Sequence, residues 1–195
     1  MLGSAFNPPH VGHMVLAQEA AAQLGLSTVL LVPTGRAPHK RIADDPGLAV
    51  RLEMAAAAAD GGPIELERYE ADEAQRSEEP SYAFRTLEEL ASRGNEDLVW
   101  IMGADAAAGL GEWRRPERIF ELARVAIAER RGVRRRDVDA VLERLGAAER
   151  AAFVEMPEIG VSSSMVRERV AAGRPIRYLV PDAVAELIVG RNLYA

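Results

Sequence analysis

Two histidines, His10 and His13, lie three positions apart at the start of a predicted helix, in a segment of residues 3–13 that reads GSAFNPPHVGH. Residues at i and i+3 share one face of a helix, so both imidazoles can point at one ligand beyond its N-terminus. That end of a helix carries free N–H groups and a partial positive charge, which favour phosphate. Gly12 leaves the space between the two rings open. The segment is therefore a candidate phosphate-binding site, although it is neither a dinucleotide-binding loop nor a P-loop.

A metal site is the main alternative for these histidines. Together with His39, the pair could form a three-histidine zinc centre. However, His39 lies in a loop between Pro38 and Lys40, and no carboxylate has the spacing of a metal-binding helix motif. We therefore expect no metal ion bound by these side chains.

A second polar cluster lies near the other end of the chain. Ser162, Ser163 and Ser164 enter a predicted helix, and Arg167 follows one turn later. Serines at a helix start are ordinary caps. With the arginine, however, hydroxyls, free N–H groups and a guanidinium converge on one place, which suits the pyrophosphate end of a nucleotide.

The elements that must position these groups alternate along the chain. Apolar runs predict strands over residues 28–32, 64–68, 98–102, 125–128 and 153–156. Apolar stripes and capping residues predict helices over 11–24, 48–59, 81–92, 116–123, 137–145, 163–172 and 181–189, with Ser81 and Asp137 as N-terminal caps. This alternation predicts an α/β, Rossmann-like fold, with a doubly wound, mostly parallel sheet covered by helices on both faces. Ligands of such sheets bind beyond the carboxyl ends of the strands. We see no domain boundary, and expect residues 1–195 to form a single domain.

Composition excludes several classes of protein. A net charge of −6 disfavours a nucleic-acid binder, although a basic cluster of minor phosphate-binding potential stands out at Arg130, Arg131, Arg134, Arg135 and Arg136. The chain contains no cysteine, no signal peptide and no apolar run long enough to span a bilayer. We therefore expect a cytoplasmic protein without a membrane partner, and a homo-oligomer stays compatible with the sequence.

The two polar segments resemble the signatures of a known family. Residues 3–13 resemble the Gly-Gly-Thr-Phe-Asp/Asn-Pro-x-His-x-Gly-His loop of bacterial nicotinate mononucleotide adenylyltransferases, within the nucleotidyltransferase superfamily that carries the His-x-Gly-His signature. Residues 161–167 are similar to the family's Ile-Ser-Ser-Thr-x-x-Arg segment. The resemblance implies catalytic roles for His10 and His13, which stabilise charge on the α-phosphate, and for Arg167, which holds the leaving pyrophosphate.

Matches elsewhere imply the rest of the site. The resemblance assigns ATP binding to Gly3, Ser4, Phe6, Gly12, Gly103, Asp105, Ser162, Ser163 and Ser164. It assigns acceptor binding to Lys40, Tyr82, Ala83, Trp113 and Arg131. In this family the aspartate holds the ATP ribose, the tryptophan stacks on the pyridine ring, and backbone amides of the Pro-Ser-Tyr-Thr helix start receive the nicotinate carboxylate. Without the resemblance, Lys40 is an exposed lysine, Asp105 a helix cap and Trp113 a core residue.

The activity implied is adenylyl transfer from ATP to nicotinate mononucleotide, which gives deamido-NAD and pyrophosphate in NAD biosynthesis. Mg²⁺ would enter through the ATP phosphates and needs no protein cage. Three alternatives remain open, namely a related adenylyltransferase that acts on nicotinamide mononucleotide or phosphopantetheine, a zinc hydrolase, and a non-catalytic nucleotide-binding protein.

The sequence departs from the family pattern in four places. Ser4 replaces the second glycine, Ala5 replaces a threonine whose hydroxyl is lost, and Ala83 replaces the threonine after Pro-Ser-Tyr. Only Met1 and Leu2 precede the first loop, where the family has an apolar strand of about five residues. We expect that central strand to be truncated, with a loss of burial and pairing, and we expect codons upstream of Met1 to encode an in-frame apolar run.

Overall fold

The computed structural model describes residues 1–38, 41–59, 62–129 and 133–195. Within them, six parallel strands form one sheet in the order β3-β2-β1-β4-β5-β6. The strands are β1 (Leu2–Ser4), β2 (Val29–Pro33), β3 (Ile64–Leu66), β4 (Leu98–Gly103), β5 (Ala123–Ala128) and β6 (Ala151–Val154). The strand order reverses between β1 and β4, and a crevice for ligands opens at such a point in a doubly wound sheet. The predicted α/β, Rossmann-like fold is confirmed.

Helices connect the strands. They are α1 (Val11–Leu24), α2 (Leu48–Ala58), α3 (Tyr69–Arg76), α4 (Ala83–Ser92), α5 (Ala104–Ala108), α6 (Pro116–Leu122), α7 (Arg135–Arg144), α8 (Ser163–Ala171) and α9 (Asp182–Gly190). In the part of the chain that the structure describes, none of them combines the length and the apolar character that a membrane span needs.

The core lies on both faces of the sheet, because successive side chains of a strand point to opposite faces. Along β4, Trp100 and Met102 pack into a cluster with α4, α6 and α7. Val99 and Ile101 pack on the other face against α1 and α2. A third apolar cluster joins α2, α8 and α9. The C-terminal helices are thus anchored to the helix that lies beside the first loop.

The first strand is present, short and central. Leu2 pairs with Leu31 of β2 and with Ile101 of β4. The strand expected to be truncated has three residues, and it includes Gly3 and Ser4, which the sequence had led us to assign to the loop. The amino group of Met1 donates to the carbonyl of Val99 at 2.6 Å, and burial lowers the pKa of that amino group to about 5.

Two predicted caps are wrong. Helix α4 begins after Tyr82, and the Ser81 hydroxyl instead accepts a hydrogen bond from the Arg36 backbone N–H at 3.1 Å. Helix α7 begins after Arg134, and Asp137 lies inside its first turn, where its carboxylate accepts from the Arg134 guanidinium at 2.9 Å. In both cases an arginine binds the side chain that was expected to cap the helix. The backbone N–H of Arg36 donates to Ser81, and the guanidinium of Arg134 donates to Asp137.

Candidate active site

A cleft of about 850 Å³ opens where the strand order reverses, at the carboxyl ends of the strands. Its volume suits a small-molecule ligand of nucleotide size. Many of the residues singled out in the sequence line this cleft, namely Gly3, Ser4, His10, Gly12, His13, Gly103, Asp105, Trp113 and Ser162. The fold therefore gathers side chains from the loops after β1 and β4 and from the start of α8.

The two imidazoles lie against each other at the start of α1. Their ring centroids are 3.8 Å apart, and the His10 ring is buried. The backbone N–H of His10 donates to Nδ1 of His13 at 3.2 Å, so Nδ1 carries no proton. The proton of the neutral ring then belongs to Nε2, which lies 3.2 Å from the Ser4 hydroxyl. The backbone thus fixes one tautomer of His13, with an N–H donor aimed at the end of β1.

The side chain of Phe6 packs against His13 from the core. Phe6 is fully buried, and its ring meets the His13 ring edge-on at a centroid distance of 5.1 Å. The side chain is therefore part of the core and does not line the cleft. Its contact with His13 holds the imidazole against the loop.

Glycine is required where the loop approaches aromatic rings. A Cβ on Gly12 would lie 3.0 Å from His10 Nδ1, and a Cβ on Gly3 would lie 2.9 Å from Trp100 Cζ2. Both distances are below ordinary van der Waals contact. Because they have no Cβ, Gly12 and Gly3 allow the rings of His10 and Trp100 to pack closely against the backbone that lines the cleft.

The first and last polar segments are in direct contact. The Ser163 hydroxyl donates to the Pro8 carbonyl at 2.8 Å. The Arg167 guanidinium donates to the Asn7 carbonyl at 2.9 Å and to the Asp44 carboxylate at 3.0 Å. The two segments therefore lie together, but among the described residues the cleft lining includes Ser162 and not Arg167, whose guanidinium is bound to the backbone of the first loop.

The other two serines have different surroundings. The Ser162 hydroxyl caps α8 by accepting from the Met165 backbone N–H at 3.2 Å. The Ser164 hydroxyl accepts from Arg167 at 3.5 Å. Only Ser162 of the three serines lines the cleft, so the hydroxyls do not all face it as the sequence suggested.

The residues assigned to the acceptor are divided between two places. Trp113 lines the cleft and meets Trp100 edge-on at 6.5 Å. Tyr82 lines a separate, much smaller hollow and stacks on Phe84 at a ring-centroid distance of 5.9 Å. Ala83 begins α4 and packs against the core cluster that contains Trp100. Lys40 and Arg131 fall outside the described residues.

The alternative metal site also falls partly outside the described residues, because it includes His39. Among the residues that the structure describes, no group of three or more histidine and acidic side chains is arranged to hold a metal ion.

One member of the basic cluster reaches the cleft. Arg135, at the start of α7, lines it, and its guanidinium lies 3.8 Å over the Phe153 ring and donates to Glu129 at 3.1 Å. From the sequence alone, a phosphate-binding role was the minor alternative for this cluster. Its position near the cleft was not predictable because it depends on the pairing of β5 with β6.

A buried arginine that the sequence analysis missed holds the first loop. The Arg51 guanidinium donates to the carbonyls of Ala5 at 3.0 Å and Thr34 at 2.8 Å, and pairs with Asp45 at 3.0 Å. Arg51 is almost fully buried on α2, on the same face as Ala55. The sequence signal for this role was an arginine within the apolar stripe of a predicted helix, because arginine is almost never fully buried unless it is paired.

A buried glutamate joins the two loops next to the acceptor residues. Glu70 of α3 is 6% exposed and accepts from the Thr86 hydroxyl at 2.9 Å. Burial, the largest influence, raises its pKa, and the Thr86 hydroxyl, the Gly35 backbone N–H and the Ser81 hydroxyl partly oppose that shift. The Ser81 backbone N–H donates in turn to the Arg36 carbonyl at 2.8 Å. Glu70 therefore fixes the loop after β2 against the start of α4.

The raised pKa of Glu70 predicts a pH-dependent stability. The ordinary pKa of a glutamate is 4.5, and folded Glu70 keeps its proton above that pH. The stabilising contribution of this carboxyl to the free energy of unfolding is therefore complete below pH 4.5. It is lost as the pH rises from 4.5 through the raised pKa. We expect Glu70→Gln, which keeps an oxygen for Thr86, to gain stability relative to wild type over that range, by at most about 1.4 kcal/mol per pH unit.

Urea unfolding at a series of pH values from 4.5 to 8 measures this difference. Glu73→Gln, on the same helix but half-exposed, is the matched control. Parallel stability curves for wild type and Glu70→Gln would show that the carboxyl releases its proton normally.

Comparisons with known proteins agree with this geometry. The sequence model of the cytidylyltransferase-like family matches residues 1–169. A protein of Roseiflexus sp. (strain RS-1) is 40% identical over 196 residues, which cover 100% of this chain and 96% of the relative. One of Exiguobacterium sibiricum is 38% identical over 197 residues, which cover 100% and 97%. Both relatives are named "probable nicotinate-nucleotide adenylyltransferase".

A solved structure shares the fold. It is that of the Plasmodium falciparum nicotinic acid mononucleotide adenylyltransferase complexed with APC, with a TM-score of 0.73 and 15% identity, covering 99% of this chain and 94% of the other. The same enzyme complexed with NaAD gives a TM-score of 0.68 at 16% identity, with coverage of 99% and 95%. At these identities the likeness concerns the fold alone.

Proposed function

Because this chain belongs to the cytidylyltransferase-like family and matches nicotinate-nucleotide adenylyltransferases over its full length, we propose that it transfers AMP from ATP to nicotinate mononucleotide. The products are deamido-NAD and pyrophosphate, and the reaction is a step of NAD biosynthesis. Membership also confirms the resemblance drawn from the two signatures. The observation that carries the proposal is the contact of the first loop with the start of α8 beside the paired imidazoles, where Ser163 meets Pro8 and Arg167 meets Asn7.

The reaction needs alignment and charge stabilisation rather than a general base. The phosphate of nicotinate mononucleotide is already an anion, and it attacks the α-phosphorus of ATP in line with the departing pyrophosphate. Mg²⁺ would be bound through the ATP phosphates and would neutralise part of their charge. The protein must therefore supply donors for the phosphate oxygens and fix the two nucleosides.

The paired imidazoles supply donors for the α-phosphate. The proton of His13 lies on Nε2, so an N–H donor is already oriented before ATP binds. His10 lies directly beside it, at the N-terminal end of α1, where the helix also favours negative charge. Donors fixed in advance cost no reorganisation when charge develops in the transition state.

The other ATP contacts follow from the cleft. Asp105, in the first turn of α5 at the end of β4, is positioned to accept from ribose hydroxyls. The backbone of Gly3, Gly12 and Gly103 lines the path of the nucleotide. The N-terminus of α8, capped by Ser162, together with Arg167 receives the leaving pyrophosphate.

The acceptor occupies the side of the cleft near Trp113. The indole offers a face for the pyridine ring, and the start of α4 at Tyr82 and Ala83 offers backbone N–H groups for the nicotinate carboxylate. Lys40 and Arg131 remain predicted phosphate contacts.

The Ser4 hydroxyl is a feature that the family pattern does not contain. It lies 3.2 Å from His13 Nε2 and 3.5 Å from the Phe6 backbone N–H. Its hydroxyl therefore lies next to the His13 imidazole, one position before Ala5, which has none. We expect Ser4→Ala to lower kcat about fivefold, since one hydrogen bond contributes about 1 kcal/mol. Steady-state pyrophosphate release measures this, with Ser92→Ala, on the outer end of α4, as the control. Unchanged kcat in Ser4→Ala would remove the hydroxyl from the reaction.

A pyrophosphate-release assay with ATP and a panel of acceptors tests the function. We expect release with nicotinate mononucleotide that exceeds release with nicotinamide mononucleotide or phosphopantetheine, and none without acceptor. Preference for another acceptor would reassign the substrate. ATP binding without pyrophosphate release with any acceptor would indicate a non-catalytic nucleotide-binding protein and contradict the proposal.

A further inference from the structure

The segment after α9 returns to the back of the first loop. The Tyr194 hydroxyl donates to Asn7 Oδ1 at 2.6 Å and lies 3.8 Å from the sulfur of Met54. Burial raises the pKa of Tyr194, so the hydroxyl keeps its proton and remains a donor at neutral pH. A residue near the end of the sequence thus contacts a residue three positions before His10.

Asn7 is the centre of a network of hydrogen bonds. Its side chain is 2% exposed, and Nδ2 donates to the Ala43 carbonyl at 2.7 Å and to the Asp44 carbonyl at 3.4 Å. Its own carbonyl accepts from Arg167. The Ala43 and Asp44 carbonyls can only accept, so they fix the Asn7 amide with Nδ2 towards them, and the Tyr194 hydroxyl donates to the amide oxygen on the other side.

The network fixes both partners of Arg167. The guanidinium is held between the Asn7 carbonyl and the Asp44 carboxylate, and the Asn7 amide anchors the backbone that carries Asp44. Removing the Tyr194 hydroxyl would leave a buried amide oxygen without this donor, and Asn7 would lose one of the polar contacts that hold it in place.

The backbone of the segment is strained. Tyr194 has φ 63°, in the left-handed region that bulky residues rarely adopt, whereas Asn192, with φ 51°, is of a residue type that tolerates this region. Such conformations persist where the surrounding contacts determine them. The Asn7 contact is the polar interaction that this conformation of Tyr194 makes possible.

We infer that Tyr194 is a positioning residue for Arg167, acting through Asn7 on the arginine that receives the pyrophosphate end of ATP. This inference rests on the proposed function. A purely structural alternative exists, because Tyr194 also packs against the apolar cluster of α2, α8 and α9. Loss of that packing would lower stability, whereas loss of the hydroxyl alone acts on the network.

Tyr194→Phe separates these roles because it keeps the ring and removes the hydroxyl. We expect the KM for ATP to rise about tenfold, the KM for nicotinate mononucleotide to stay within twofold, and Tm to change little. Tyr178→Phe is the matched control, since Tyr178 is 83% exposed and lies outside the network. A wild-type KM for ATP in Tyr194→Phe would overturn the inference.

A double-mutant cycle with Arg167→Ala tests the path of the effect. We expect Tyr194→Phe to have no further effect on the KM for ATP once Arg167 is removed, because interacting residues are not additive. Full additivity would overturn the inference. Asn7→Ser breaks the same contact from the other side, and the same rise in KM is expected there if Tyr194→Phe proves too unstable to assay.

Binding of ATP alone, measured by calorimetry, keeps the two proposals distinct. If wild type binds ATP but releases no pyrophosphate with any acceptor, the proposed function fails. A tenfold weaker ATP affinity of Tyr194→Phe would still support the positioning of Arg167, and equal affinity would contradict it.

Discussion

Replacing His13 with alanine is expected to lower kcat for pyrophosphate release by about two orders of magnitude, which corresponds to about 3 kcal/mol of transition-state stabilisation. The backbone N–H of His10 holds Nδ1 of His13, so the proton lies on Nε2 and faces the end of β1. A donor oriented in this way stabilises the charge that develops on the transferring phosphate. Binding of ATP depends on many other contacts, so its KM should change much less than kcat.

The helix itself must be shown to survive the change. Met14→Ala, the next position on α1, is the control for effects on packing, since Met14 belongs to the apolar cluster on the other side of the helix start. Steady-state kinetics and thermal unfolding are measured for both variants. A kcat of His13→Ala within fivefold of wild type would show that this imidazole does not stabilise the charge on the α-phosphate.

The elements that the sequence predicted well have strong local signals. Helix α1 has the predicted bounds, 11–24, because its apolar stripe is continuous and Gly25 ends it with φ 64°. Helix α8 begins at Ser163 as predicted, since Ser162 provides a side-chain cap. The alternation of strands and helices was sufficient for the parallel sheet, because parallel strands require crossover helices.

Short elements with non-local causes were missed. Helix α3 is only 8 residues long and half of them are charged, so no apolar stripe marks it. Strand β1 has 3 residues, too few to show a period, and it is a strand because β2 and β4 pair with it on either side. The sequence contains no local signal for pairing of this kind.

The site was predictable as a set of residues but not as a network. Local spacing indicated the imidazole pair and the serine-arginine segment. The contacts that hold them come from elsewhere in the chain, from Arg51, Asp44 and Tyr194, and depend on packing of α2 and α9. Tyr82 was assigned to the acceptor, yet its ring faces a separate small hollow because it stacks on Phe84.

Replacing Gly35 with alanine is expected to lower the free energy of unfolding by about 2–4 kcal/mol, through overpacking against backbone. A Cβ at this position would overlap the Glu70 carbonyl oxygen and lie 2.7 Å from its carbonyl carbon. Side-chain rotation cannot relieve that overlap, so either α3 or the loop after β2 must move. The Gly35 N–H and the Arg36 backbone hold Glu70 and Ser81, so the displacement should reach the start of α4.

Displacement of the start of α4 should affect the KM values of the two substrates differently. Since the start of α4 is proposed to receive the nicotinate carboxylate, Gly35→Ala should raise the KM for nicotinate mononucleotide more than the KM for ATP. Gly109→Ala is the matched control, because a Cβ there meets the Ala106 carbonyl oxygen at an ordinary 3.7 Å. Urea unfolding and steady-state kinetics are compared for both variants. If Gly35→Ala matched Gly109→Ala in stability, the loop would be loose enough to absorb a methyl group, and a rigid link from Glu70 to the acceptor side of the cleft would be untenable.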